Sequence, residues 1–197
     1  MTSAKKTAHL GEIVFNIYRE VGEGNLLNRS CSDRCIRNLK QHADCVQEIK
    51  YYCEADGKLH LTVHKGDKSG PVIATAILSR DPDGVTEIKF TEPGQALHLK
   101  HVHDFFHGRT TFETGRKKVH WKGHSALVED GTGVCLAVYK AILFEGKHHK
   151  LGTLLVTEHG IEFIDIVVSS ALVEQERADE PENEVQFCIN DANFCRT

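Results

Sequence analysis

Residues 161–177 form a 17-residue stretch without a glycine or a proline, opening Ile161-Glu162-Phe163-Ile164 and closing Glu174-Gln175-Glu176-Arg177. An ordinary strand is about 5–6 residues long, so this segment is too long to be one. Between 161 and 173 its apolar side chains fall on nearly the whole circumference of a helix, not on one stripe. A helix that is apolar all round has to be buried all round. Its many Val and Ile residues favour strands instead. The length and the charged ending nonetheless select a helix over 161–177. As a helix, residues 161–173 span about 20 Å at roughly 1.5 Å per residue. A bilayer core is roughly 30 Å thick, and Glu162 and Asp165 interrupt the apolar run. No transmembrane span is expected.

The remainder of the chain has to supply what surrounds that helix. Residues 11–19 are β-branched and aromatic and read as a strand. Residues 22–44 are polar and turn-rich; they read as a loop, or as a short helix over 33–42. From Cys45 onward the pattern changes. Val46, Ile49 and Tyr51 open one run, and Leu59, Leu61 and Val63 then alternate with His60, Thr62 and His64. Period-two alternation marks a strand with one wet face. Asp56-Gly57 between the runs signals a hairpin turn. Further strands are predicted over 72–78, 85–90, 105–112, 118–121, 126–128, 134–142 and 151–156. Turns separate them at 81–84, 113–115, 130–133 and 144–146. Short strands at this spacing specify a sandwich or a barrel. No fixed-period repeat points to a propeller or solenoid. Curving the antiparallel strands around the apolar helix satisfies both demands and removes exposed sheet edges. The expected fold is therefore mainly β: a closed antiparallel barrel around a central hydrophobic C-terminal helix. It occupies one domain over 1–178, and an acidic tail follows over 179–197.

Composition narrows the function classes. Apolar residues at 40% and charged residues at 26% are ordinary globular values and argue against wholesale disorder. A formal charge of −4 argues against a general nucleic-acid binder. Residues 1–7 carry two lysines with no apolar core behind them, so no secretory leader is expected. Seven cysteines at irregular spacing then read as reduced thiols. In that compartment the sequon Asn28-Arg29-Ser30 is chance. The expected location is cytoplasmic, with peripheral contact to membranes.

Histidine is the compositional anomaly, at 13 of 197 residues, seven of them between 101 and 149. On a strand His101 and His103 would share a face and could form a pair of metal ligands. Asp104 would point the other way, and no cysteine pair with zinc-like spacing accompanies them. Cys31, Cys35, Cys45 and Cys53 are spaced too irregularly for a zinc knuckle, so free thiols are the plainer reading. Residues 100–150 hold nine Lys/Arg against five Asp/Glu. Arg109, Arg116, Lys117, Lys118, Lys122, Lys147 and Lys150 are the candidate ligands for anionic lipid, each basic group being worth about 1 kcal/mol near a charged membrane. Solvated hairpin tips are the bland alternative. Acidification would charge the histidines and strengthen anion binding.

Catalytic patterns are absent. Ser125 and the Ser169-Ser170 pair lack a nucleophile-elbow context. Gly131-Thr132-Gly133 lacks the lysine and helix of a phosphate loop, and no cofactor is implied. Trp121 is expected to pack in the wall. The segment 174–197 carries seven acids against two arginines, with Val185, Phe187, Ile189 and Phe194 available to dock back or to meet a protein partner.

Several segments resemble the tubby C-terminal-like superfamily, which comprises tubby proteins, phospholipid scramblases and LURP-one-related proteins, and most closely its uncharacterised fungal members. They are His107-Gly108-Arg109-Thr110-Thr111-Phe112, His120-Trp121-Lys122-Gly123-His124-Ser125, Lys150-Leu151-Gly152 and the helix ending Ala171-Leu172-Val173-Glu174-Gln175-Glu176-Arg177. The resemblance covers roughly residues 45–178 and implies a closed barrel of about twelve strands around the helix. It transfers no functional residue, because members differ widely in what they do. Three readings follow: a non-enzymatic binding or scaffold module meeting anionic phospholipid through the basic, His-rich face; a metal-binding protein or enzyme built on His98–His124; and a protein-interaction module using the acidic tail.

Overall fold

The computed structural model describes residues 12–19, 34–38, 49–55, 59–79, 81, 83–92, 94–103, 108–115, 117–141 and 150–178. They form twelve strands, then a 3-10 turn and one helix. The strands are β1 (Ile13–Arg19), β2 (Arg34–Asn38), β3 (Lys50–Ala55), β4 (His60–Lys65), β5 (Val72–Ile77) and β6 (Val85–Phe90). After them come β7 (Ala96–His103), β8 (Gly108–Thr114), β9 (Lys117–Lys122), β10 (Ala126–Glu129), β11 (Cys135–Ala141) and β12 (Lys150–Val156). The 3-10 turn spans Ile161–Phe163 and α1 spans Ile164–Ala178.

All pairings are antiparallel and join strands that are consecutive in the chain, from β2 through to β12. β1 is hydrogen-bonded on both edges: Ile13 stands opposite Val156 of β12, and Phe15 opposite Asn38 of β2. The described residues are mainly β, one antiparallel sheet with a single C-terminal helix, as the alternating pattern predicted.

Two expectations need correction. Residues 34–38 are strand β2, not loop or short helix. Arg34-Cys35-Ile36-Arg37-Asn38 has little strand character of its own, but ladders to β1 and β3 satisfy its backbone on both sides and override local preference. The strand expected over 105–112 begins at Gly108, and a separate strand, β7, precedes it at Ala96–His103. The rest of 22–44, residues 105–107, the turns at 56–57 and 144–146, and the tail 179–197 lie outside the described residues.

The helix occupies the core. Nine consecutive residues, Val167 to Gln175, are each no more than 4% exposed, so every side of α1 is covered there. The inner face of the sheet meets it with Phe15, Tyr51, Leu61, Ile88, Leu97, Trp121 and Leu154, all buried. Small inward residues Ala74 and Ala76 on β5 leave room for the helix beside those larger ones. Glycine is required where the chain turns inward. A Cβ on Gly160 would stand 2.2 Å from the Leu136 carbonyl oxygen and 3.0 Å from Val156. Just ahead of it, Thr157 donates its backbone N–H to Leu136 O at 3.0 Å and its hydroxyl to Cys135 O at 2.7 Å, tying the turn to β11.

Candidate functional site

The sheet has two ends. At the near end, beside the helix start, Lys117 opens β9 and lies 3.7 Å from Glu162, its ammonium 5.4 Å from the Phe163 ring centre. At the far end the turn between β9 and β10 lies beside the helix exit, where His124 Nδ1 is 2.5 Å from Glu174 Oε2. Polar contacts fasten the helix to the sheet near its start, midway and near its exit. At the near end Tyr51 donates its hydroxyl to Asp165, which Lys65 also holds at 3.2 Å. Midway, Trp121 Nε1 donates to Ser170 Oγ at 3.1 Å, and Ser170 donates to Val167 O at 3.1 Å. That use of Ser170 and of the single tryptophan is structural.

The far-end fastening is built differently. Glu174 is 2% exposed, and His101 and His124 approach it from two hairpins. His101 is buried, with Nδ1 2.8 Å from Thr110 Oγ1 and Nε2 3.0 Å from Thr86 Oγ1, and Nδ1 is 3.8 Å from Glu174 Oε1. His124 carries a positive φ of 57°, directly after Gly123 at 55°, while Ser125 N–H donates to Lys122 O at 3.1 Å. Positive φ at both central positions of the Lys122–Ser125 turn matches the twist of the flanking strands. A histidine in that region is strained by about 1–3 kcal/mol, and such strain persists where surrounding contacts enforce it. Glu174 is one such contact. Burial pushes the His124 imidazole pKa down, but the hydrogen bond and charge of Glu174 outweigh it and leave the pKa raised.

The predicted site residues divide between the two ends. His101 points into the protein and both its ring nitrogens meet hydroxyls, so it is a buried link in the core. His103 sits on β7 opposite Gly108; its side chain and that of Lys150 on β12 lie outside the described residues. Arg116 and Lys147 also lie outside them. Lys117 is held by Glu129 at 3.6 Å as well as by Glu162. Lys118 stands opposite Glu113 and acts on Asp130. Arg109 donates to Asp130 at 2.9 Å and lies 3.1 Å from His120, whose Nδ1 also meets Asp130. Burial is the largest single influence on Asp130 and raises its pKa, but the His120 hydrogen bond and the charges of His120, Arg109 and Lys118 together outweigh it and hold the carboxyl below its usual range.

Arg109 and Lys122 stand opposite each other on the outer face of β8 and β9, both exposed, and Val102 pairs with Arg109. Lys100, exposed on β7, joins them, although the sequence reading did not single it out. Its signal was available: Lys100 alternates with Leu99 and His101, the two buried residues that flank it. Among the described residues no three His, Cys, Asp or Glu side chains form a metal-binding set. Cys135 is a free thiol; burial pushes its pKa up and makes it less reactive. Among the described residues no helix is long and apolar enough to cross a membrane. No protein-family model, curated protein or solved structure matches the chain.

Proposed function

We propose that this chain is a non-enzymatic binding module of the tubby-like class, a closed barrel around its helix, that takes anionic phospholipid on the outer face of its far end. The observation that carries the reading is the group of exposed cations Lys100, Arg109 and Lys122 on the outer face of β7, β8 and β9. The pairing of β1 on both edges supports the barrel. The buried helix supports an outer binding surface, because Val167 to Gln175 fill the space a barrel would otherwise offer an internal ligand. Lys117 lies beside Glu129 and Glu162, Lys118 stands opposite Glu113, and Asp130 holds Arg109 at 2.9 Å, so these three contribute less than composition suggested. Basic groups near a membrane surface attract it over about a Debye length, so binding should weaken steeply with salt.

The test is co-sedimentation of the full chain with phosphatidylcholine vesicles, with and without phosphatidylserine or a phosphoinositide, at low and high salt. Salt-sensitive binding to the anionic vesicles alone supports the module. Equal recovery with neutral and anionic vesicles rejects it.

A further inference from the structure

Four large apolar side chains are exposed among the described residues, and three of them sit at the far end on consecutive strands. Ile77 on β5 is 48% exposed, Val85 on β6 51% and Val102 on β7 41%. Their register makes them neighbours. Ile77 stands opposite Glu87, two residues from Val85; Val85 stands opposite Lys100, two residues from Val102. Diagonal positions of this kind are about 7–8 Å apart on one face. The three side chains therefore form a staggered row, each step one strand on and closer to the far end.

Cations flank that row. Lys100 faces Val85, Arg109 faces Val102, and Lys122 lies beyond Arg109. Acids stand there too: Glu87 within the row, bridged to Lys89 at 2.9 Å, exposed Asp81 and Asp83 in the turn ahead of Val85, and Asp130 on Arg109 at 2.9 Å. Branched aliphatic side chains beside long basic stems suit an anionic phospholipid surface. The aliphatics can enter the acyl boundary while Lys and Arg extend to the phosphates.

We infer that Ile77, Val85 and Val102 insert into an anionic bilayer at the acyl boundary, with Lys100, Arg109 and Lys122 on its phosphates, so that the protein docks by its far end. The inference rests on the anionic-lipid reading above and adds an insertion step and an orientation to it.

The test uses the full chain and phosphatidylcholine vesicles containing phosphatidylserine. Paired replacement Val85→Ser and Val102→Ser removes apolar surface without changing charge, and both sites are exposed, so folding is retained. Binding should weaken about tenfold, the effect of losing roughly half the burial of two valines, while its salt dependence is unchanged. In a second variant, Val102→Trp, brominated acyl chains should quench the new indole, whereas buried Trp121 in the wild type stays bright. Unchanged affinity in the serine pair, or no quenching at position 102, overturns insertion while salt-sensitive binding leaves the lipid reading standing. Failure of the wild type to bind anionic vesicles overturns both. Concentration-dependent dimerisation abolished by the serine pair would assign the row to a second copy of the chain and also overturn it.

Discussion

The two ends of the helix are fastened by the same kinds of group in opposite environments. At the near end the Asp165 carboxylate is 37% exposed and shares a lysine with solvent. At the far end the Glu174 carboxylate is 2% exposed and meets histidines. An exposed ion pair is worth about 0–1 kcal/mol because water competes for both partners. A buried one contributes little net stability, yet is costly to break, because the surviving partner is left uncompensated. The difference teaches that geometry alone does not rank these contacts; burial does.

The outer surfaces differ as well. Near-end Lys117 lies beside Glu129 and Glu162; at the far end Arg109 also meets an acid, Asp130, but Lys100 and Arg109 stand opposite the exposed Val85 and Val102.

The largest effect expected is from Val167→Asp. An unpaired charge at that buried position costs several kcal/mol against a total stability of about 5–15 kcal/mol. The variant should lose its cooperative thermal transition, and a normal melt would remove the helix from the core. Next comes the pair that bears on the comparison directly. Glu174→Gln should cost about 2 kcal/mol by denaturant titration, in the range for hydrogen bonds to a charged group. Asp165→Asn should cost under about 1 kcal/mol. Equal losses would break the contrast between the ends.

How much of this was legible in the sequence follows from where side chains conform to their element's pattern. The helix was readable because residues 161–177 contain no breaker and no polar stripe. Its ending misled: Glu174-Gln175-Glu176-Arg177 reads as a solvated terminus, yet Glu174 and Gln175 are 2% and 4% exposed. Strand β7 was obscured by a histidine at an inward position, since Leu97 and Leu99 alternate inward and His101 takes the next place in the series. Thr86 and Thr110 make that place habitable for an imidazole, and they come from neighbouring strands that local sequence cannot show. Strand β2 was hidden because both of its ladders are long-range. The basic face was legible as composition only; which lysines have acids beside them depends on cross-strand register.

A smaller effect separates the ends by pH. The folded His124 pKa lies above its ordinary value of 6.5. Its contribution is therefore fully present below the unfolded pKa and lost as pH rises through the raised one. His124→Gly removes both the contact and the backbone strain. It also leaves the buried Glu174 without that partner, so it should destabilise, and by more near pH 6 than at alkaline pH. Denaturant titrations at acidic and alkaline pH check the decrease, and a pH-independent cost contradicts it. At the near end, burial chiefly, then the hydrogen bond and charge of Asp165, push the Tyr51 pKa well above 10. Its contribution is lost only above the ordinary tyrosine range, so Tyr51→Phe should cost about 1 kcal/mol or less, unchanged across neutral pH.

The most direct measurement compares two charge-neutralised variants of the full chain on vesicles containing phosphatidylserine. One carries Lys100→Gln, Arg109→Gln and Lys122→Gln at the far end; the other carries Lys117→Gln and Lys118→Gln at the near end. At about 1 kcal/mol per basic group near a charged surface, the far-end variant should bind more than about tenfold more weakly than the wild type. The near-end variant should bind nearly as the wild type does. Equal losses in the two variants, or the larger loss at the near end, would contradict a far-end lipid surface.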